Sequence, residues 1–292
     1  MSAATAAEIR LESKEDRVTV FVDNELFTEY ITTGYEKPIL YPIIGPDGIG
    51  MTRNYPMKKG VAGEAEDHPH HKSIWFGHMD VNGENFWASG PKAGTTVQTQ
   101  IAVEGNTIRC NNNLVGSDGK LVATDSREIR FEADGDTRFI DYSVTYHASQ
   151  GDLVFGDNKD GQMGIRMHQN LELKAPHTGQ AVNSTGVSTK EIWGKRANWI
   201  DYWGEVDGKV VGIAMFDHPT NFRYPTWWHA RDYGLLSANP FGRRDFEGEK
   251  AESGDHKLMK GESLTFKHRF VFHRGDAQQA KIDQLYKAWI AR

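Results

Sequence analysis

Residues 68–80 hold the densest group of side chains able to do chemistry, four histidines and an aspartate within thirteen residues. Imidazole titrates near neutral pH and a carboxylate neighbour tunes its basicity, so this group suits general acid–base catalysis. A strand over 74–80 would place alternate residues on one face: Ile74, Phe76, His78 and Asp80. His78 and Asp80 would then point where the preceding His70 and His71 could reach. The alternative is a loop of surface histidines, or one histidine buried against a backbone partner.

A second polar group lies at residues 161–168. Alternation along a strand would place three of its residues on one face: Gly164, Arg166 and His168. A glycine beside an arginine on a strand indicates close approach by a ligand or by another segment. The planar guanidinium of Arg166 offers a rigid fork of donors to hydroxyls or carboxylates. A salt bridge across a solvated sheet face is the alternative.

Residues 192–204 place two adjacent cations, Lys195 and Arg196, among three tryptophans and a tyrosine. Aromatic rings offer flat apolar faces to the C–H surface of a sugar, and neighbouring charges orient its hydroxyls. Trp199 is therefore a candidate stacking surface. An aromatic hairpin held by cation–π packing is the alternative.

The longest polar group extends from residue 216 to residue 233. A buried strand over 210–216 ends at His218, and in 226–232 three residues share a face: Trp227, His229 and Arg231. Binding and catalytic residues concentrate on loops at strand ends, which makes this group a candidate site. A bulged segment held by polar contacts is the alternative.

The elements that must position these groups are strands. Apolar residues alternate with polar ones at 17–23, 139–146 and 264–272, and Gly/Asn/Asp clusters separate the runs. No βαβ rhythm is visible. We therefore predict an all-β fold, an antiparallel β-sandwich of one domain over 1–292, with 1–8 flexible and long loops at 45–72, 148–162 and 217–257.

One helix is predicted at the C-terminus, over 276–291. Asp276 is a candidate N-cap, and apolar residues follow at helical spacing: Ile282, Leu285, Tyr286, Trp289 and Ile290. We expect this apolar stripe to pack on the sheet.

The composition restricts the possible partners. The 292 residues carry a formal net charge of −6, so nucleic acid is not an expected partner. No apolar run reaches the roughly 18 residues of a membrane helix, and no signal peptide is visible. The one cysteine, Cys110, cannot form an internal disulfide. A cytoplasmic location fits the chain as it stands, although a removed signal peptide would leave the same sequence, and a homo-oligomer is compatible with it.

Four segments give the sequence its resemblance to a known family: 68–87, 161–167, 193–204 and 216–242. In these segments it resembles a bacterial family that carries the label "methane oxygenase PmoA". The label is a poor guide, because a membrane oxygenase subunit needs transmembrane helices. The resemblance implies a galactose-mutarotase-like β-supersandwich with a ligand on the concave face of a curved sheet. It also implies a role beside sugar oxidoreductases in bacterial catabolism, but it carries no established catalytic residues.

Together these observations predict an acid–base enzyme that acts on a small carbohydrate, as an epimerase, lyase or hydrolase of a monosaccharide or a glycoside, oxidised or not. His71 or His78 would take a proton, and Asp80 would orient it. His218 or His229 would be the opposing acid. The residues expected to bind substrate are His70, Arg166, His168, Lys195, Arg196, Trp199, Asp201, Trp227, Arg231 and Asp232.

Two alternatives remain open on the sequence alone. No cofactor is expected, but a divalent metal could stabilise an enediolate if three residues of one set held it. That set is His70, His71, His78, Asp80 and His229. The other alternative is a non-catalytic carbohydrate-binding protein, which the aromatic content favours and the clustered titratable groups disfavour.

Overall fold

The computed structural model describes residues 7–292, and most of its regular structure is β-strand. In chain order the strands are β1 (Ile9–Ser13), β2 (Arg17–Val22), β3 (Glu25–Ile31), β4 (Ile39–Ile43), β5 (Ile74–His78), β6 (Thr95–Glu104), β7 (Thr107–Val115), β8 (Leu121–Asp134), β9 (Thr137–His147), β10 (Leu153–Phe155), β11 (Gly161–Arg166), β12 (Gln180–Asn183), β13 (Trp199–Val206), β14 (Lys209–Asp217), β15 (Trp227–Ala230), β16 (Leu235–Asn239), β17 (His256–Leu258) and β18 (Ser263–Arg274). The α-helices are α1 (Arg243–Glu247) and α2 (Ile282–Ile290).

The strands form two large sheets. The first has eight strands in the order β1-β2-β3-β4-β5-β11-β16-β15, and the second has eight in the order β12-β13-β14-β18-β9-β8-β7-β6. A two-stranded sheet pairs β10 with β17. All pairings between the described strands are antiparallel. The predicted antiparallel β-sandwich is confirmed.

The core is built from alternate residues of strands in both sheets. In β2 these are Val18, Val20 and Val22, and in β9 they are Ile140, Tyr142, Val144 and Tyr146. All of them belong to one apolar cluster of buried side chains. The period-2 patterns in the sequence therefore mark the inward face of each strand.

Helix α2 covers part of the outer face of the second sheet. Ile282, Tyr286 and Trp289 are buried against apolar residues of β9, β13, β14 and β18. The predicted C-terminal helix is confirmed, but it begins at Ile282 rather than directly after Asp276. The carboxylate of Asp276 instead accepts from the backbone of Gln278 and Gln279 in a turn, and left-handed Lys281 (φ 55°) separates that turn from the helix.

Two of the predicted loops contain strands. The segment 217–257 includes β15 and β16, whose residues are buried, and 148–162 includes β10. Most of the predicted flexible segment 1–8 lies outside the described residues, and β1 begins at Ile9. Within residues 7–292, no helix is long and apolar enough to cross a membrane.

Candidate active site

The outer face of the first sheet collects polar side chains from neighbouring strands. In β11, Met163 and Ile165 enter the core, and alternation turns Gly164 and Arg166 outward. In β15, Trp228 enters the core and His229 turns outward in the same way. Strand β16 lies between β11 and β15. Side chains far apart in the chain therefore converge on one face.

Arg166 is fully buried on this face. Its Nη1 donates to Nδ1 of His71 across 3.2 Å, and its Nη2 donates to Oδ1 of Asp67 across 3.4 Å. Nη2 also lies 3.7 Å from Oε1 of Glu172. Burial lowers the pKa of Arg166 to about 10, which leaves the guanidinium charged at neutral pH. The side chain therefore brings a positive charge into a site shielded from water.

The imidazole of His71 is held between Arg166 and an aromatic ring. It is buried, and it stacks on the indole of Trp75 with ring centroids 5.2 Å apart. Burial lowers the pKa of His71 well below 6.5, and the nearby His70 and Arg166 lower it further. His71 is therefore neutral at physiological pH, and its ring cannot turn without losing both contacts.

Arg53 holds the loop that carries His68 and His71 in place by hydrogen bonds. This buried guanidinium donates to the backbone oxygens of Ala65, Asp67 and His68, and to Oδ1 of Asp67 across 2.6 Å. Burial raises the pKa of Asp67, but Arg166 and Arg53 outweigh burial and hold that pKa below 3.8. A charged carboxylate therefore joins the two arginines.

Tyr233 is a platform for several of these groups. His68 stacks on its ring with centroids 5.2 Å apart. The guanidinium carbon of Arg166 lies 4.7 Å from the ring centroid, and that of Arg231 lies 5.4 Å from it. Guanidinium groups are attracted to the negative face of an aromatic ring. The phenol thus brings two cations and an imidazole together.

His229 forms the other side of the site. Its Nδ1 donates to the backbone oxygen of Lys159 across 3.0 Å and lies 3.6 Å from Oδ1 of Asp160. Its Nε2 is buried and has no hydrogen-bond partner among the described residues. Burial lowers the pKa of His229 to about 3, so the ring is neutral. His229 pairs in register with Ser237, which pairs with Gly164, and Gly164 pairs with Trp75. His71 stacks on Trp75, so the two histidines lie on the same face of the first sheet.

An aromatic layer lies beneath this site. Trp75 and Trp87 are buried with their ring centroids 4.9 Å apart. Both indoles pack directly against Gly164, where an added Cβ would come within 2.8 Å of Trp75 and 2.9 Å of Trp87. The close approach that a glycine beside Arg166 indicated in the sequence is therefore the approach of these two indoles.

His78 and Asp80 do not join His71, contrary to the prediction. Strand β5 ends at His78, whose ring follows Ile74 and Phe76 into the core, where it contacts Phe241 and where its Nε2 lies 2.8 Å from the backbone oxygen of Gly156. Asp80 follows the strand and caps a turn by accepting from the backbone of Gly83. The large apolar residues of β5 decide which face is interior, and His78 shares that face.

Trp227 of β15, together with Lys195 and Arg196 beside that strand, does not contact the His71–Arg166 pair. The guanidinium of Arg196 lies 4.5 Å from the Trp227 ring and donates to the backbone oxygen of Pro225. The indole of Trp227 is buried and donates to Glu247. Lys195 is exposed. This is the cation–π packing that the sequence left open as the alternative.

Three other predicted residues belong to the second sheet: Trp199 and Asp201 lie in β13, and His218 directly follows β14. Trp199 is buried under α2. Asp201, expected to bind substrate, is fully buried and 2.8 Å from Nε2 of His273. His218, expected to be an acid, stacks edge-on with Trp289 of α2. The strand that carries Trp199 and Asp201 belongs to the other layer, so none of the three meets Arg166.

Three other predicted residues lie at the edges of the site. His70 contacts the His71 ring edge-on at 4.3 Å between centroids, and burial lowers its pKa to about 4. His168 accepts a hydrogen bond from the backbone of Asn170 and caps a short 3-10 turn. Asp232 pairs with Lys190 at 3.2 Å. Of these, only His70 touches the His71–Arg166 pair.

The structure adds residues that the sequence reasoning did not select. They are Arg53, Asp67, His68, Asp160, Glu172, Tyr233, Trp75 and Trp87. Asp67 and His68 adjoin the histidine group, and Tyr233 ends the fourth group, so their position was a usable signal. Nothing in the sequence marks Arg53 or Asp160, which reach the site from loops.

The donors proposed for a metal do not share one position. His78 lies on the core face of the first sheet, whereas His71 and His229 lie on its outer face. Across the described residues, no group of three or more His, Cys, Asp or Glu side chains is arranged to hold one ion. Nδ1 of His71 is already occupied by Arg166.

Fold and site together define an antiparallel β-sandwich protein with arginines and neutral histidines clustered on the outer face of one sheet. The chain belongs to DUF6807, a family of unknown function, whose model matches residues 17–287. Comparison with curated proteins found no match. The family model assigns no activity, and the methane oxygenase label stays a resemblance of four segments.

Among solved structures, the chain is similar to a galactose mutarotase related enzyme from Lactobacillus acidophilus, with 8% identity and a TM-score of 0.38 over 91% of this chain and 97% of that one. A galactose mutarotase-like protein from Lactobacillus casei has 8% identity and a TM-score of 0.37, over 91% of this chain and 100% of that one. An alpha-galactosidase from Lactobacillus brevis has 9% identity and a TM-score of 0.39, over 93% of this chain and 40% of that one. The assignment of function therefore rests on the geometry of the site.

Proposed function

We propose that this chain is a carbohydrate-active enzyme that acts by acid–base catalysis on a monosaccharide or glycoside, as an epimerase, lyase or hydrolase. One observation carries the proposal. His71 and His229 are buried neutral imidazoles on one face, and their hydrogen bonds fix opposite tautomers. A guanidinium can only donate, so Nδ1 of His71 must accept, and a carbonyl can only accept, so Nδ1 of His229 must donate.

These tautomers assign different tasks to the two rings. His71 carries its proton on Nε2 and can donate a hydrogen bond from there. His229 presents a lone pair on Nε2, the atom with no partner among the described residues, and can accept a proton. The sequence favoured His71 or His78 as the base and His218 or His229 as the acid, and the Arg166 contact supports the reverse assignment for His71 and His229.

The geometry favours proton transfer at a carbon beside a carbonyl. Nε2 of His229 would take the proton, and the Nε2 hydrogen of His71 would stabilise the charge that develops on the carbonyl oxygen. A neutral imidazole can polarise such an oxygen as a hydrogen-bond donor, which is the role of a neutral histidine in other enzymes that remove a proton beside a carbonyl. Preorganised donors of this kind contribute strongly when water is excluded.

The surroundings support a carbohydrate as the substrate. The rings of Tyr35, Tyr41 and Tyr233 are partly exposed beside the Trp75–Trp87 layer, so they offer both apolar faces and hydroxyls. Sugars present the same combination of C–H faces and hydroxyl groups. Among the described residues the candidate donors do not converge on one position, so we propose a reaction without a metal.

Proton NMR in D₂O tests this function on the purified protein. The panel contains neutral sugars, sugar acids and keto-glycosides, each with and without EDTA. We expect deuterium to enter one C–H position, or a new anomer or product to form, equally in both conditions. Binding without any chemical change across the panel would contradict the proposal and favour a non-catalytic binding protein. Activity that EDTA abolishes would contradict the metal-free mechanism.

A further inference from the structure

Arginines elsewhere in this chain show how their donors are normally satisfied. In several of them Nε and Nη2 together hold the two oxygens of one aspartate. Such pairs are Arg127 with Asp125, Arg269 with Asp141 and Arg274 with Asp47, at N–O distances between 2.6 and 3.0 Å. This side-on arrangement is the strong two-pronged form of a guanidinium–carboxylate contact.

The same edge of Arg166 is not satisfied in this way. Its Nε is buried and has no hydrogen-bond partner among the described residues. The nearest carboxylate oxygens to its Nη2 are at 3.4 Å, on Asp67, and at 3.7 Å, on Glu172. The Asp67 oxygen is already bound by Arg53 at 2.6 Å. A buried donor without a partner destabilises the folded protein. A ligand that accepts from this Nε–H would explain why the donor is retained.

A second cation lies over the same Tyr233 ring. The side chain of Arg231 forms no hydrogen bond and no ion pair with any of residues 7–292, although its guanidinium lies 5.4 Å from the Tyr233 ring centroid. Arg166 lies 4.7 Å from that centroid, and Nζ of Lys174 lies 5.9 Å from it. Lys174 is paired with Glu172 at 3.4 Å. Asp67 and Glu172 face Arg166 and Lys174, so the cation on this ring that is left for an anionic ligand to pair with is Arg231.

We propose, on the basis of the function proposed above, that the substrate is a sugar acid whose carboxylate binds between the Nε–Nη2 edge of Arg166 and the guanidinium of Arg231. The planar carboxylate matches the fork of Arg166 in the same way as the aspartates in the pairs above. It would anchor one end of the sugar, and His71 and His229 would act on the other carbons. A sugar phosphate is also an anion, but it carries a charge of about −1.5 to −2 at neutral pH in a tetrahedral group.

Calorimetric titration at constant ionic strength distinguishes these ligands. The probes are hexuronates and hexonates, the neutral hexoses of the same configuration, and the hexose 6-phosphates. We expect at least one sugar acid to bind about tenfold or more tightly than its neutral counterpart and its phosphate, as expected for a charge-assisted contact. Arg231→Gln should remove most of this preference.

Variants decide whether the preference comes from this site. Arg130→Gln removes an exposed arginine from the second sheet and should leave the preference unchanged. Arg166→Gln should abolish sugar-acid binding, with circular dichroism to show that the protein is folded. If Arg166→Gln does not fold, Arg231→Gln provides the test, because its side chain is partly exposed. A preference that survives in Arg231→Gln, equal binding of neutral sugars, tighter binding of phosphates, or no binding of any sugar acid would each overturn the proposal.

The two proposals fail separately. Sugar-acid binding with the expected preference but without proton exchange would leave the carboxylate assignment standing and contradict the enzyme function. Proton exchange on a neutral sugar, with no preference for the acid, would leave the enzyme function standing and overturn the carboxylate assignment.

Discussion

Nη1 of Arg166 donates to Nδ1 of His71 across 3.2 Å, and this contact determines which nitrogen of His71 carries its proton. The guanidinium has no acceptor, so the imidazole proton must reside on Nε2. His229 has the opposite tautomer because the carbonyl of Lys159 takes its Nδ1 proton. The pair thus offers one donor and one acceptor while both rings stay neutral.

Removing the nitrogens of His71 should remove its donor role. His71→Phe keeps a flat ring that can stack on Trp75 but cannot donate to a developing oxyanion, so we expect kcat to fall about 100-fold or more. The measurement is the steady-state rate on the substrate found by NMR. His147→Phe makes the same change on the outer face of the second sheet and should leave kcat unchanged. A His71→Phe rate within a few-fold of the wild type would contradict the role of His71.

The pH dependence of the reaction should lack a histidine limb near pH 6.5. Burial lowers the pKa of His229 to about 3 and that of His71 well below 6.5. A base works only when it is deprotonated, so its activity would be lost only as the pH falls towards those low values. We expect kcat/KM to be level between about pH 5 and 8, the range in which an unperturbed histidine would titrate. A tenfold loss between pH 7 and 5.5 would contradict the assignment.

The glycine under the aromatic layer should tolerate no side chain. A Cβ on Gly164 would come within 2.8 Å of Trp75 and 2.9 Å of Trp87, so Gly164→Ala must displace an indole on which His71 stacks. We expect a loss of about 1–3 kcal/mol in the free energy of unfolding, together with reduced activity. Denaturant unfolding measures the first. Gly151→Ala is the matched control, since nothing lies within 4 Å of a Cβ there. An equal free energy of unfolding for Gly164→Ala and Gly151→Ala would contradict this close packing, because the indoles would then move aside without loss.

The buried pair of Asp201 and His273 should make stability depend on pH. Burial alone would lower the pKa of His273, but Asp201 outweighs it and raises that pKa above 6.5. The folded protein therefore holds a proton that the unfolded chain releases, and this contribution is present below pH 6.5 and lost as pH rises through the raised pKa. Burial also raises the pKa of Asp201 above 3.8. This group therefore also makes the folded protein less stable as the pH rises, but in a lower pH range.

Asp201→Asn tests this contribution by thermal or denaturant unfolding. It should cost about 3 kcal/mol or more near pH 6, because it removes one partner of a buried pair, and the cost should shrink above neutral pH. Asp283→Asn breaks an exposed pair with Lys287 in α2 and should cost less than about 1 kcal/mol. An Asp201→Asn cost that does not change with pH would contradict the account of this pair.

The fold could be predicted from the sequence because large apolar residues mark one face of each strand. Period-2 alternation in β2 and β9 survives tertiary packing, since both strands have one face in the core. The same alternation fails to say which face a polar residue joins when that residue follows an apolar run. His78 shows this, because Ile74 and Phe76 carry its ring into the core.

Residues of the candidate site could be selected from the sequence only where they belong to a local group of polar residues. His71, Arg166, His229 and Arg231 were selected from local groups, and the first sheet brings them to one outer face. Arg53 and Asp160 could not be found: Arg53 contacts Ala65, Asp67 and His68 within one irregular loop, where no strand or helix period applies, and Asp160 meets His229 from a distant loop. Asp201 was misplaced because its neighbour His273 and the covering helix α2 lie more than seventy residues further on.

Deuterium exchange by wild type and His229→Gln is the most direct test of the proposed acid–base site. The glutamine can accept a hydrogen bond at the position of Nε2 but cannot take a proton from carbon. The account predicts that wild type exchanges a C–H proton of the substrate in D₂O and that His229→Gln binds the same sugar without exchange. Equal exchange by the two proteins would contradict the account, because the proton would then be leaving by way of another group.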